Sequence, residues 1–351
     1  MFNHVIVIPA RLSSKRLPNK PLLKIDDIPM IIRTCRQCNK AVHKSIIFVV
    51  TDSTKIYTLV KKNGFNVMMT SKKCKTGTDR IAEFAKKVKS HLYINIQGDE
   101  PIIDPKDIKN FKEALNKNNH KNGFMNAASP GVISAFLPNK FYKNDDEYLE
   151  NLSNVMKEEY EEITSNGIKL QLDCPDLALA RHMTFKDFSE NEFLLRAEKQ
   201  IECLNNAISN IDSSNIRLHI CWGNYEGPHL HDIALEKIMP IALKANVQTY
   251  LIESSNPRHS HEWQIFENLK IPKDKIIAPG VIDSTTNFVE HPEVVKHRIL
   301  TYAKVIDIEQ LLAGTDCGFS TFAGFGNVDE NIVYKKLEAL VRGSELASKV
   351  I

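Results

Sequence analysis

The sequence predicts an α/β protein in two parts: a doubly wound parallel sheet over residues 1–118, then a partial (β/α)8 barrel over residues 124–351. Three observations predict it. Short apolar runs rich in Val and Ile alternate with amphipathic helical stretches along most of the chain. The polar run Asn116-Lys-Asn-Asn-His-Lys-Asn-Gly123 breaks that alternation and reads as a join. Charge divides across it: residues 1–120 carry 23 Lys+Arg against 10 Asp+Glu, and the remainder carries 23 against 33.

The elements of the first part follow in order. His4–Pro9 reads as a buried strand, Met30–Val42 as a helix and Ser45–Thr51 as a second strand. Ser53 is placed to cap a helix that stops near Gly64. Asn66–Thr70 is a short strand, Thr78–Val88 a basic helix and Leu92–Gln97 another strand. Asp104–Asn116 completes the set as a helix with Pro105 in its first turn. Ligands in such sheets sit beyond the carboxyl ends of the strands. After the first strand, one loop gathers Arg11, Lys15, Arg16 and Lys20, a set suited to triphosphate oxygens. It is not a Walker A loop, because the Gly-Lys-Ser/Thr element is missing. After the last strand, Asp99 follows Gly98 and could hold Mg2+ with its phosphates.

Composition narrows the classes. A chain of 351 residues with 42% apolar and 25% charged residues is an ordinary globular protein. The run Val5–Ile8 is too short for a leader or a membrane span. The 7 cysteines have irregular spacing, so a reducing, cytoplasmic setting is expected. Cys35 and Cys38 fall inside a predicted helix and read as ordinary thiols, not as a redox pair. The basic first part lacks interleaved aromatics, so neither a nucleic-acid nor a membrane partner is expected.

In the second part the predicted strands are 125–129, 168–173, 216–221, 247–253, 276–283 and 311–316. Helices are predicted near 145–165, 186–208, 233–245, 261–269, 291–303 and 329–347. The chemistry-bearing residues fall at strand ends: Asp173, His219, Cys221, Glu253, Asp283 and Cys317. That pattern marks a barrel active site. His219 and Cys221 are two apart, so a strand turns them to one face. One nitrogen, two sulfurs and one carboxylate make a plausible zinc shell. Buried core residues without metal fit the same positions, and spacing alone does not separate the two readings. Of His229, His231, His259 and His261, only His229 is taken as a substrate-binding candidate, because it follows the metal strand closely.

The first part carries Ile8-Pro-Ala-Arg11, Arg16-Leu-Pro18, Lys20-Pro-Leu22, Thr51-Asp52, Gly77-Thr-Asp-Arg-Ile-Ala-Glu83 and Gln97-Gly-Asp-Glu-Pro101. On these motifs it resembles the N-terminal half of the 3-deoxy-manno-octulosonate cytidylyltransferases (CMP-Kdo synthetases). The resemblance implies a nucleotidyltransferase half domain in which Arg11, Arg16 and Lys20 contact CTP phosphates and Asp99 binds Mg2+. It also implies that Gln97 faces the sugar acid and that Gly77, Thr78 and Arg80 lie near the base. Asn19 stands where that family has glycine, and Asn tolerates the left-handed conformation. The match ends near residue 118.

The second part carries Leu172-Asp-Cys-Pro-Asp-Leu-Ala178, His219-Ile-Cys221, Ile252-Glu-Ser254, Pro279-Gly-Val-Ile-Asp283 and Thr315-Asp-Cys-Gly318. It resembles the C-terminal catalytic domain of cobalamin-independent methionine synthase, without the first two strand–helix units. The resemblance implies Zn2+ on His219, Cys221, Glu253 and Cys317, and Asp173 on the amino group of a homocysteine-like substrate. A methylated folate is the implied donor. Thr285 stands where the full-length synthase has a catalytic histidine, and Cys174 replaces an acidic residue. Six strands do not close an eightfold barrel, so either the first part covers the open edge, or another chain (a second copy or a partner) does, or the fold is compromised. Two other readings stand beside methyl transfer: an Mg2+-dependent cytidylyltransferase, and a fusion that binds nucleotide or zinc without turnover.

Overall fold

The computed structural model describes residues 2–12, 19–74, 77–98, 105, 123–223, 227–319 and 328–351. The chain divides into two compact units, Met1–His120 and Lys121–Ile351. Arg16 and Asp99 lie outside the described residues, as does most of the helix expected over 104–116.

The first unit is built on β1 (Val5–Ala10), whose six residues are all buried. After it come β2 (Lys24–Ile25), β3 (Ile28–Pro29), β4 (Ile47–Thr51), β5 (Asn66–Met69) and β6 (Tyr93–Asn95). The main sheet runs β5-β4-β1-β6 and every pairing in it is parallel. A strand with neighbours and helices on all sides must be apolar throughout, which is how Val5–Ala10 reads. Helices Met30–Ala41 and Thr54–Lys62 cover one face with Ile31, Cys35, Ile56 and Val60. Phe84 of helix Gly77–Lys87 covers the other, on Val5, Val7 and Val50. The Ser53 hydroxyl accepts from the Ile56 N–H at the N-cap, and Gly64 lies just past the helix end at φ +75°. Asn19 adopts φ 57°, the left-handed conformation its motif requires. The hairpin β2–β3 was not expected. It turns through Asp26 and Asp27, both at positive φ, and Arg33 ties it back to helix Met30–Ala41 through Asp26 at 2.8 Å.

The second unit is a single curled parallel sheet, a half-barrel. Its strands are β7 (Phe124–Ala128), β8 (Lys169–Asp173), β9 (Ile216–Ile220), β10 (Thr249–Ile252), β11 (Ile276–Ile282) and β12 (Gly314–Thr315). They pair in chain order, β12-β11-β10-β9-β8-β7. Leu170, Leu172, Leu218, Ile220, Tyr250 and Ile252 form the core with Phe193, Ile201, Leu204, Ile238 and Met239 of the covering helices. Because side chains alternate, Gln171, Asp173, Arg217 and His219 point to the opposite face. The predicted strand 311–316 shrinks to two residues plus a bridge from Leu311 to Ile277. The predicted helix 261–269 is a 3-10 helix, Glu262–Glu267. A helix at Pro130–Phe136, capped by Ser129, was not anticipated. Among the described strands β7 pairs with β8 alone, and its Phe124 and Met125 are 47% and 51% exposed. No described helix is long and apolar enough to cross a membrane.

Candidate functional site

Three strand ends of the half-barrel converge. His219 lies in β9 and Cys221 just beyond it, Glu253 follows β10, and Cys317 is two residues past β12. A ring nitrogen of His219 and the sulfurs of Cys221 and Cys317 all lie within 4.8 Å of one another. The two sulfurs are 3.7 Å apart. Two thiolates on one tetrahedral zinc, each at ~2.3 Å, would be separated by ~3.8 Å. Among the described residues the buried His219 Nε2 atom has no hydrogen-bond partner within ordinary geometry, its near neighbour being the Cys317 sulfur. A nitrogen and two sulfurs at this spacing therefore fit a thiophilic divalent ion.

Glu253 is not one of the three converging candidate ligands. Its Oε1 accepts from the Trp222 N–H at 2.8 Å and its Oε2 from the Asn256 amide at 3.0 Å. It is nonetheless close enough for Cys317 and Asp316 to act on its charge. Burial pushes Glu253 up to about 7, with Asp316 adding to the rise. Burial would lower His219, but the Cys317 sulfur and the charges of Asp173 and Glu253 raise it to about 9. Hydrogen bonding from Cys221 holds the Cys317 thiol well below its ordinary value, helped by His219. The same pairing, with burial, pushes Cys221 up. Burial raises Asp173, partly offset by His219. The pocket thus collects negative charge and answers it with protons, which a divalent cation would displace.

Asp316 organises the walls. Its carboxylate accepts from the N–H groups of Ser254 and Ser255 at 2.8 Å and of Asn256 at 2.9 Å, so the loop after β10 is tied to the residue before Cys317. A Cβ on Gly280 would sit 2.1 Å from Asp316 Oδ1 and 2.6 Å from its Cα, so β11 must carry glycine there. The sequence reading quoted Asp316 within a motif but gave it no role. The structure also places Asp283 outside the converging group: its Oδ1 accepts from the Thr285 N–H and hydroxyl at 2.7 and 2.8 Å. His291 caps helix Pro292–Tyr302, accepting from the Glu293 N–H at 3.2 Å. His259, expected as a polar loop residue, is buried on the Trp222 ring at 4.5 Å and bonded to Glu262 at 2.7 Å. His229 pairs with Asp232 at 3.1 Å.

In the first unit, Arg11 follows β1 directly, Lys20 opens a 3-10 helix, and Gln97 and Gly98 follow β6. β1 and β6 are neighbours in the sheet, so both loops leave from the same edge of the fold. A Cβ on Gly77 would meet Pro9 at 3.1 Å and Gln97 Oε1 at 3.7 Å, which places the helix start carrying Gly77 and Thr78 beside them. Arg80 is buried and bonded to Asp52 at 2.7 Å, Thr70 Oγ1 at 2.8 Å and the Ser71 carbonyl at 3.3 Å. It pins the wall of this cradle. Cys35 and Cys38 are buried and form no disulfide with each other, and burial raises Cys35.

Comparison with known proteins follows this division only in part, since one family match runs well past residue 118, where the sequence motifs end. Residues 5–247 match the family model described as cytidylyltransferase. The 3-deoxy-manno-octulosonate cytidylyltransferase of Chlorobium limicola is 47% identical over 106 residues, 30% of this chain and 43% of that protein. The enzyme of the same name from Chlorobaculum tepidum is 48% identical over 106 residues, with the same coverage. The chain thus spans less than half the length of these relatives. Among solved structures, a B12-independent methionine synthase from Shewanella sp. W3-18-1, in complex with selenomethionine, superposes with a TM-score of 0.50. It is 21% identical and covers 70% of this chain and 66% of its own, a likeness of fold. With a family match that runs across most of its length, the chain belongs to the cytidylyltransferase family.

Proposed function

We propose that the second unit is a zinc-dependent thiol methyltransferase site, using a homocysteine-like acceptor and a methylated folate-type donor, joined to a first unit that binds CTP with Mg2+. The observation that carries it is the 3.7 Å pair of sulfurs with His219 alongside, at the carboxyl ends of parallel strands. His219, Cys221 and Cys317 would hold the ion, and Glu253 stands behind them as a fourth candidate. Zinc, when bound, lowers the pKa of a coordinated substrate thiol so that it becomes a nucleophile at neutral pH. The chain supplies the rest. The Asp173 carboxylate, at the end of β8 beside His219, would take the substrate ammonium. The Trp222 and Asn256 N–H donors orient Glu253.

The test is metal content and turnover together. Purified protein should hold about one zinc per chain, lose it on Cys221→Ser, and methylate homocysteine only when zinc is present. Folded, active protein that never holds zinc would overturn the proposal.

A second reading has its own support. The family match and the 47% identity favour Mg2+-dependent cytidylyl transfer to a 2-keto sugar acid. Arg11, Lys20 and Gln97 would line that site. CTP consumption with release of pyrophosphate should appear with such an acid, and fall at least tenfold on Lys20→Ala. No release at millimolar CTP and Mg2+ would remove this reading.

A further inference from the structure

The loops after three successive strands meet next to the candidate metal centre. His182 ends the short helix after β8, His229 and Asp232 follow β9, and Arg258 follows β10. The His182 and His229 rings stack with centroids 5.3 Å apart and planes 17° from parallel. Arg258 connects this group to the centre. Its Nη2 is 3.5 Å from Glu253 Oε2 and 3.4 Å from the Gly223 carbonyl, and the Gly223 N–H donates to Cys221 Sγ at 3.3 Å. Its Nη1 is 3.7 Å from Asp232 Oδ2.

None of these contacts reaches the ~2.7–2.9 Å of a charge-assisted hydrogen bond. Arg258 is held between two carboxylates without being saturated by either. Among the described residues its buried Nη1 has no hydrogen-bond partner, and neither has the buried Nδ1 of His182. Buried polar nitrogens left unpaired are rare and costly, and a permanent cation most of all. Both residues lie close enough to His229 to depress its basicity, after burial itself and against the pull of Asp232. Two unsatisfied nitrogens on one rim, one of them a guanidinium, call for an anionic acceptor with two oxygens.

We propose that Arg258, with His182, forms a carboxylate-binding subsite on the rim of the metal centre. It rests on the zinc–thiol reading above. The carboxylate comes either from the thiol amino acid, whose ammonium Asp173 would hold, or from the glutamyl tail of a folate-type donor. The subsite separates a substrate amino acid from simple thiols that would otherwise compete for the same metal.

The experiment uses the full chain loaded with Co2+, whose absorbance reports thiol binding directly. Homocysteine is titrated against 3-aminopropane-1-thiol, which is the same molecule without its carboxylate. Wild-type protein should bind homocysteine about ten- to hundredfold more tightly. Arg258→Ala should erase that preference while leaving the affinity for 3-aminopropane-1-thiol unchanged, and Arg258→Lys should keep part of it. In a parallel arm, methyltetrahydrofolate with one or three glutamates is titrated by calorimetry. Loss confined to the triglutamate form on Arg258→Ala places the subsite on the donor. An Arg258→Ala protein that weakens both thiols equally, or changes no carboxylate-dependent affinity in either arm, shows that Arg258 only braces the loops and ends the proposal. If neither thiol perturbs the wild-type spectrum, the zinc–thiol reading has failed first, and this inference falls with it.

Discussion

Single residues carry the strongest constraints in the half-barrel, and the buried carboxylates most of all. Asp316 takes three consecutive backbone N–H groups, those of Ser254, Ser255 and Asn256. Asp316→Ala should therefore cost about 3 kcal/mol or more, measured by urea unfolding, because those donors stay buried. Gly280→Ala should destabilise by a similar amount through the clash with Asp316 Cα, which is backbone and cannot swing aside. Asp176 gives a pH signature. It is fully buried, accepts from the Ser129 hydroxyl at 2.7 Å, and burial pushes its pKa up to about 7. Its unfolded value is near 3.8. Between these values the folded chain holds a proton that the unfolded chain has lost. The stability it confers is then full below about pH 4 and is lost as pH rises through 7. Asp176→Asn should flatten that slope and raise stability at pH 8 by up to roughly 4 kcal/mol. An unchanged slope from pH 4 to 8 would contradict the assignment.

Elements show how much of this was legible beforehand. Strands deep in a parallel sheet read as continuous apolar runs, so Val5–Ala10 and Ile276–Ile282 stood out, whereas Ile216–Ile220 alternates apolar with polar residues. The candidate ligands His219, Cys221 and Cys317 were readable from their strand-end positions together with the family resemblance, since spacing alone left the metal reading open. Asp316 was not, because its meaning lies in a loop some 60 residues earlier, and no local pattern announces that contact. Helix Pro130–Phe136 was missed although Ser129-Pro130 is an N-cap signal, since seven residues offer too little periodicity. The hairpin Lys24–Pro29 was missed because Asp26-Asp27 is a poor form of the turn it makes. Asp27 pays a steric cost at φ 61° that glycine would avoid. Asp27→Gly should therefore stabilise the first unit by about 0.5–1 kcal/mol in thermal unfolding, and a loss of stability would mean the Asp27 side chain has a contact that matters.

At the scale of the whole molecule, two cores of different construction share one chain. The first unit packs helices on both faces of a four-stranded sheet, and the second packs its helices against one face of a six-stranded sheet. Each core is large enough to melt as its own cooperative unit. Ligands then give each transition a label. A ligand that binds only the folded form raises stability by RT ln(1 + [L]/Kd), about 2.7 kcal/mol at a hundredfold excess over Kd. CTP with Mg2+ should raise the melting of the unit that carries Arg11 and Lys20 and leave the other in place. Removing zinc should lower only the unit that carries His219, Cys221 and Cys317, because the freed sulfurs and imidazole then hold their charges with protons alone. The signature is two calorimetric transitions moved by different ligands. One transition shifted equally by chelator and by CTP would mean that the units fold as a single body, and the nucleotide and metal sites would then have to be treated as coupled.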